Sequence, residues 1–153
     1  APRSAIAALD RMRRRGAAGR RLRIQARIQM GAIEASDIAR ASAALTFDWS
    51  GEARWLQGLI ALAARQPEVA KNRLARAPDR PDTAALRVAA ALLRKDAASV
   101  EIGARAAAAW PESLLARLAH MRALDHAGDR DTLDAAAQAL AHDLESGRTP
   151  PHF

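Results

Sequence analysis

The chain has 153 residues, of which 24 are Lys or Arg and 17 are Asp or Glu, and half of its residues are hydrophobic although only 3% are aromatic. Alanine, the commonest residue of the chain, is the best helix former, and β-branched and aromatic residues are scarce, so an all-α fold of a single domain is predicted. The lack of cysteine excludes disulfides and thiolate metal sites. No apolar run approaches the roughly 18 to 20 residues of a membrane span, and the first ten residues lack the apolar core of a signal peptide.

Apolar periodicity and the positions of glycine and proline predict nine helices. In chain order they cover residues 3–15, 19–30, 35–46, 51–65, 67–77, 82–95, 97–109, 112–127 and 130–146. Several starts carry a capping residue or a first-turn acid, and Pro67 stands where an N1 proline is expected; the capping or acidic residues are Ser50, Asp82 and Glu112. Because the loops are short, neighbouring helices should pack as antiparallel hairpins.

The turns between these helices recur at a regular spacing. Breaks inside successive helix pairs fall near Gly31, Gln66, Asp96 and Gly128. Breaks between pairs fall near Gly51, Pro81 and Pro111, and the two intervals between them are equal. Two helices per unit of about 30 to 35 residues is typical of a helical-repeat array, in which stacking of the hairpins supplies the core.

Residues 58–81, GLIALAARQPEVAKNRLARAPDRP, resemble a tetratricopeptide repeat. The residues at the family's small, small, large and small positions are Gly58, Ala70, Leu74 and Ala77. Small residues are needed where the two helices of a unit cross, and the large residue is expected to fill the gap to the next unit. The segment ARAAAAWPES is similar to a repeat end closed by Pro111, and HAGDRDTLDAAAQAL is similar to a second repeat with Gly128 in its bend.

The resemblance implies a right-handed α-solenoid of about three and a half hairpins. It assigns residues 1–34 to a basic cap or first unit, residues 35–146 to tetratricopeptide-like repeats and residues 147–153 to an extended tail or linker. The sequence departs from the family pattern in two respects: tyrosine is absent, and Trp55 lies one position later than the aromatic residue of the first helix.

Arginines are concentrated near the beginning of the chain. Residues 1–50 carry 10 basic and 4 acidic side chains, whereas residues 51–153 carry 14 and 13. In the second predicted helix, helical spacing places Arg20, Arg23 and Arg27 on one ridge, and Arg21 begins a separate polar row. These four arginines are candidate partner-binding residues. The sequence leaves three interpretations open, namely a solvated outer face, a surface for an acidic protein segment, and a nucleic-acid patch that lacks accompanying lysines and exposed aromatics.

The repeat phase also predicts residues that line a concave groove. Counted from Gly128, the groove residues of the helix at 112–127 are Leu118, Arg122, Asp125 and His126. Counted from Gly58, they are Trp55, Leu59 and Leu62. The alternative is packing between units, which for Leu59 and Leu62 is at least as good an interpretation. The paired lysines and asparagines of the family's carboxylate clamp are absent, which argues against a chaperone-tail ligand.

No motif for catalysis, phosphate binding or dinucleotide binding occurs in the sequence. His120 and His126 are too far apart along the chain to share a helix face as metal ligands would, and the acids around Asp129 lack the spacing of a calcium loop. We therefore expect a chain that is not an enzyme by itself and that holds no metal and no cofactor.

The expected function is that of a non-catalytic protein–protein interaction scaffold, which binds a peptide or helix of a partner, acidic or otherwise, in a concave groove. The double proline after Gly147 resembles the join before the catalytic region in bacterial relatives of the O-linked N-acetylglucosamine transferase, so the first alternative is a substrate-recruiting module of a larger enzyme. The second alternative is nucleic-acid binding through the arginine-rich end. The expected state is a monomer or a weak homodimer, with the cytoplasm slightly favoured over the periplasm.

Overall fold

The computed structural model describes residues 43, 45 and 49–147. Within 49–147 the regular structure is entirely helical, which confirms the all-α prediction for this part of the chain. The six helices are α1 (Gly51–Ala63), α2 (Pro67–Leu74), α3 (Pro81–Leu93), α4 (Ser99–Ala109), α5 (Leu114–Ala127) and α6 (Arg130–Glu145). None of these six is both long and apolar enough to cross a membrane. The helices predicted at residues 3–15 and 19–30, and all of the one predicted at 35–46 except residues 43 and 45, lie outside the described residues.

The chain divides into two compact units, residues 1–78 and residues 79–153. In the first unit α1 packs against α2, and in the second α3, α4 and α5 pack against one another while α6 packs on α5. Each is described by itself below.

A close helix crossing holds α1 and α2 together. Leu74 and Ala70 of α2 are completely buried, and a Cβ atom at Gly58 of α1 would lie 2.5 Å from the Leu74 side chain. The Leu74 side chain therefore occupies the space that the missing side chain of Gly58 leaves. This differs from the expected role of the large residue, because Leu74 fills the crossing inside its own hairpin.

Small side chains likewise permit the close packing of the second unit. Ala84 of α3, Ala106 of α4 and Ala116 of α5 form one buried cluster, against which Trp110 packs. A Cβ atom at Gly103 of α4 would lie 2.9 Å from the Cα atom of His120 in α5, so the two helix backbones approach each other closely. The high alanine content thus serves helix-to-helix approach as well as helix formation.

The same helix ending recurs three times. After α1, α3 and α5 the chain passes through one residue of positive φ, namely Arg65 (53°), Lys95 (55°) and Gly128 (77°). The next amide in each case donates to a carbonyl five positions earlier, in the pairs Gln66 to Ala61, Asp96 to Ala91 and Asp129 to Leu124. These are Schellman motifs. They end the first helix of each hairpin, and they confirm the predicted breaks near Gln66, Asp96 and Gly128.

Helix starts follow the predicted signals, although some bounds differ. Ser50 caps α1, its Oγ accepting from the Ala53 amide at 3.2 Å. The predicted start of α5 at residue 112 is too early, because Ser113 is the N-cap and its Oγ accepts from the Ala116 amide at 3.3 Å. The predicted start of α4 at residue 97 is also too early, because the Asp96 carboxylate accepts from the Ala98 amide and holds a turn there.

Three further bounds were predicted inaccurately. The second helix of the first hairpin ends at Leu74 instead of residue 77, and the chain turns from Ala75 towards Pro78. The first helix of the next hairpin begins one position earlier than predicted, with Pro81 at its first position, and ends at Leu93 instead of residue 95. The ends of these two helices, at Leu74 and Leu93, are followed by turns whose backbone hydrogen bonds join residues three to five positions apart. The apolar periodicity of the sequence does not show where such turns begin.

Candidate peptide-binding surface

Helix α5 presents a stripe of exposed side chains along one face. Leu115 and Leu118 are 47% and 45% exposed, and Arg122 and Asp125 are exposed as well. These four residues stand at i, i+3, i+7 and i+10, which places them on one side of a helix with about 3.6 residues per turn. The stripe is therefore apolar near the beginning of α5 and charged near its end. We call these four residues the α5 stripe.

The apolar end of the stripe opens into a groove. The groove has a volume of about 700 Å3 and is lined by residues from the start of α3, the end of α4 and the start of α5. Its apolar lining residues are Pro81, Ala109, Trp110, Pro111 and Leu115. Because Leu115 belongs both to the groove and to the α5 stripe, the two form one continuous surface.

Polar side chains border this groove. Arg80 and Asp82 form a bidentate pair, with Nε to Oδ1 at 3.2 Å and Nη2 to Oδ2 at 3.3 Å. The Asp82 Oδ1 also accepts from the Thr83 amide at 2.7 Å in the first turn of α3. Glu112 and Ser113 complete the polar lining. Apolar walls with a few oriented polar groups are the usual composition of a ligand-binding cleft.

Two neighbouring helices hold the position of α5. Gly103 lets α4 approach the backbone at His120, and burial there lowers the pKa of the His120 imidazole below its ordinary value. Arg117 Nη1 lies 2.8 Å from the Asp143 Oδ2 of α6, with both side chains mostly shielded from solvent. The α5 stripe therefore lies on a helix that packs against both α4 and α6.

Arg122 differs from the other arginines of this unit. Between residues 79 and 147 there are seven arginines, and six of them pair with a carboxylate at 2.7 to 3.9 Å: Arg80, Arg87, Arg94, Arg105, Arg117 and Arg130. Within the described part of the chain Arg122 makes no ion pair. Asp125, by contrast, pairs with Arg130 at 2.9 Å. The α5 stripe thus offers one positive charge that faces solvent.

The predicted site residues are distributed as follows. Leu118, Arg122, Asp125 and His126, which the repeat phase predicts to line a groove, are exposed on α5. Trp55 is half-buried and packs against the core cluster of Leu45, Ala53, Leu56 and Ile60. Leu59 and Leu62 are half-buried. Four predicted residues lie outside the described part of the chain, namely Arg20, Arg21, Arg23 and Arg27.

Sequence reasoning missed the groove at Trp110. The dipeptide Trp110-Pro111 was interpreted only as a repeat end, and Leu115 was not singled out. A bulky aromatic at a helix C-cap beside a proline was the available signal. Among the described residues, no group of three or more His, Cys, Asp or Glu side chains is placed to hold a metal ion.

No protein-family model matches this sequence, and no curated protein or solved structure is significantly similar to it. The resemblance to tetratricopeptide repeats therefore remains a prediction that rests on the residues and on the recurrence of helix ends.

Proposed function

We propose that this chain is a tetratricopeptide-like repeat scaffold that binds a peptide or a helix of a partner protein along the α5 stripe and the Trp110 groove. The proposal assigns no catalytic step to this chain. The observation that carries it is the continuity of Leu115 and Leu118 with the groove, since two half-exposed leucines beside an apolar cleft leave a strip of apolar surface in contact with water.

The stripe also specifies the chemistry of the ligand. Apolar side chains of the ligand would lie against Trp110 and Leu115, and a carboxylate would pair with Arg122. Leu118 and Arg122 are four positions apart on one helix, a rise of about 6 Å. An extended ligand covers that distance in roughly two residues and a helical ligand in about four. The expected ligand therefore carries an acidic residue at that spacing from an apolar one.

Selection of peptides from a random display library against the full chain tests the proposal. We expect the selected peptides to combine apolar anchors with an Asp or Glu. Leu115→Asp and Leu118→Asp should each weaken their binding by about tenfold or more, because each removes apolar contact area and adds a charge that must be desolvated. Arg122→Gln should reduce the preference for the acidic peptides over the same peptides with Gln or Asn.

Leu144→Asp is the matched control, because Leu144 is a leucine of α6 with a similar exposure, 46%. It should leave peptide affinity within about twofold of the parent chain, as surface substitutions away from a contact do. The proposal is wrong if Leu144→Asp weakens binding as much as the two α5 variants, or if the α5 variants bind the selected peptides as the parent does. Fluorescence anisotropy with labelled peptides measures all of these affinities.

A further inference from the structure

The described arginines of the first unit differ in their ion pairing from those of the second. Residues 49–78 contain four arginines, namely Arg54, Arg65, Arg73 and Arg76, and none of the four makes an ion pair with a described residue. In residues 79–147 six of seven arginines are paired. Three of the four in the first unit, Arg54, Arg73 and Arg76, line the same cleft.

Arg54 is the most unusual of the three because it is buried. It lies in the first turns of α1 and is 5% exposed. Its Nη1 donates to the Gln57 Oε1 at 3.2 Å, and its guanidinium lies over the Trp49 ring at 4.6 Å from the ring centre. A guanidinium group carries five N–H donors. In the described part of the chain the partners of this guanidinium are the neutral Gln57 amide oxygen and the face of the Trp49 ring. The positive charge is therefore buried, and no described carboxylate neutralises it.

The other cleft residues come from one side of α2 and the turn that follows it. Val69, Asn72, Arg73 and Arg76 stand at i, i+3, i+4 and i+7, which is one helix face. With Arg54 and Ala75 they enclose a cleft of about 560 Å3. Among the described residues, the lining contains three guanidinium groups, one amide and no carboxylate.

Three positive groups around one cleft repel each other, and the shielding of Arg54 adds a desolvation cost. An oxyanion in the cleft relieves both effects. Guanidinium groups are planar forks that bind phosphate and carboxylate oxygens in pairs, and a phosphate monoester at neutral pH carries nearly two charges and three acceptor oxygens. A single carboxylate offers one charge, and a phosphodiester of a nucleic acid offers one per group. The monoester matches three arginines best.

We propose that this cleft is a binding site for a phosphoryl dianion, held by the guanidinium groups of Arg54, Arg73 and Arg76. Its source is either inorganic phosphate or a phosphorylated side chain of a protein segment. The Asn72 amide lies on the same face and is placed to donate to a phosphoryl oxygen. The site belongs to the first unit and is independent of the α5 stripe, so either proposal stands if the other fails.

Isothermal titration of the full chain at constant ionic strength tests the site with three probes: inorganic phosphate, a phosphoserine peptide together with its unphosphorylated form, and a single-stranded oligonucleotide. We expect saturable phosphate binding, and Arg73→Gln and Arg76→Gln should each weaken it by about tenfold, the usual effect of losing a hydrogen bond between charged groups. Binding of the phosphopeptide should weaken as the pH falls below about 6, where the dianion takes up a proton.

Arg65→Gln is the matched control, because Arg65 is an exposed arginine of the same unit that does not line the cleft. Arg65→Gln removes the same charge and should change phosphate affinity by less than about twofold. This result would distinguish binding at the cleft from general attraction of phosphate to the positive charge of the protein. Arg54→Gln is measured together with Arg54→Lys, which keeps the positive charge but lacks the planar guanidinium group. Circular dichroism checks that each Arg54 variant is folded. The Arg73 and Arg76 variants decide the outcome even if both Arg54 variants unfold.

Several results would overturn the proposal. It fails if phosphate does not bind, if Arg73→Gln and Arg76→Gln bind phosphate as the parent does, or if Arg65→Gln weakens binding equally. It also fails if the oligonucleotide binds more tightly than the phosphopeptide, because a polyanion surface would then be the better description. Binding of inorganic phosphate and the phosphopeptide alike supports a phosphorylated partner, and binding of inorganic phosphate alone supports free phosphate as the ligand.

Discussion

Two glycines set how closely the helices pack. At Gly58 the Leu74 side chain occupies the position of the absent Cβ atom, and at Gly103 the backbone of α5 comes nearly as close. Any larger residue at these positions must displace a neighbour. Gly58 was recognisable in the sequence because it falls in the tetratricopeptide-like pattern, whereas Gly103 was not, since it falls in no matched part of that pattern.

We predict that Gly58→Ala lowers the free energy of unfolding by about 1 kcal/mol. Overpacking in a dense core costs about 1 to 3 kcal/mol, and the better helix propensity of alanine returns up to about 1 kcal/mol. In the Leu74→Ala background the clash is gone, so the same substitution should be neutral or stabilising. Urea denaturation of the four chains in this double-mutant cycle measures the change of sign. An equal destabilisation in both backgrounds would contradict the packing argument.

His120 makes stability dependent on pH. Burial lowers the pKa of its imidazole in the folded chain below the ordinary value of 6.5. As the pH falls below about 6.5 the unfolded chain therefore takes up the proton first, so stability is lost as the pH falls further towards the lower folded pKa. Above that range the contribution is fully present.

The comparison to make is the unfolding free energy at pH 7.5 and pH 5.0, by urea denaturation, for the parent chain and for His120→Gln. We expect a smaller loss of stability on acidification in His120→Gln than in the parent. His126→Gln and His142→Gln serve as controls, since both histidines are exposed, and should lose as much stability as the parent does. The same pH dependence in His120→Gln and the parent would exclude this histidine as the cause.

At the level of the helix, the ends are more regular than the sequence suggests. Arg65, Lys95 and Gly128 occupy the same left-handed position of three Schellman motifs, although only the last is a glycine. Side chains with a Cβ atom are strained in that conformation, by about 1 to 2 kcal/mol. Taking glycine as the marker of helix ends therefore finds one motif of the three, and Pro67 marks the one near Gln66.

We predict that Arg65→Gly and Lys95→Gly each raise the free energy of unfolding by about 0.5 to 1 kcal/mol, because glycine adopts the left-handed conformation without the Cβ penalty and its extra chain entropy offsets part of the gain. Gly128→Ala should lower it by about 1 kcal/mol for the same reason. The Arg65 and Lys95 side chains are exposed, so no buried contact is lost. Thermal and urea denaturation measure the free energy of unfolding. A lower stability of Lys95→Gly than of the parent chain would refute the argument that the positive φ at residue 95 is strained.

At the scale of the whole molecule, charge and apolar surface are distributed unequally. The net charge of +7 resides mainly in residues 1–50, and residues 49–78 still carry five basic and two acidic side chains. The cleft of Arg54, Arg73 and Arg76 lies in this basic part. The α5 stripe lies in the second unit, where six of the seven arginines between residues 79 and 147 pair with carboxylates. The two proposed sites therefore differ in the ligand they would bind: a phosphoryl dianion in the cleft, and apolar side chains with one carboxylate on the stripe.

The sequence by itself determined the six described helices and the approximate positions of their turns, because these depend on propensities, caps and prolines within a few positions of each other. The residues of α5 that it predicts to line a groove are exposed, namely Leu118, Arg122, Asp125 and His126. Tertiary structure alone decided which side chains share a surface. Trp110 and Leu115 meet Pro81 in a groove, and Arg54 meets Arg73 and Arg76 in a cleft, through packing between different helices. Periodicity assigns a residue to a face of its own helix, but the neighbour of that face is chosen by packing.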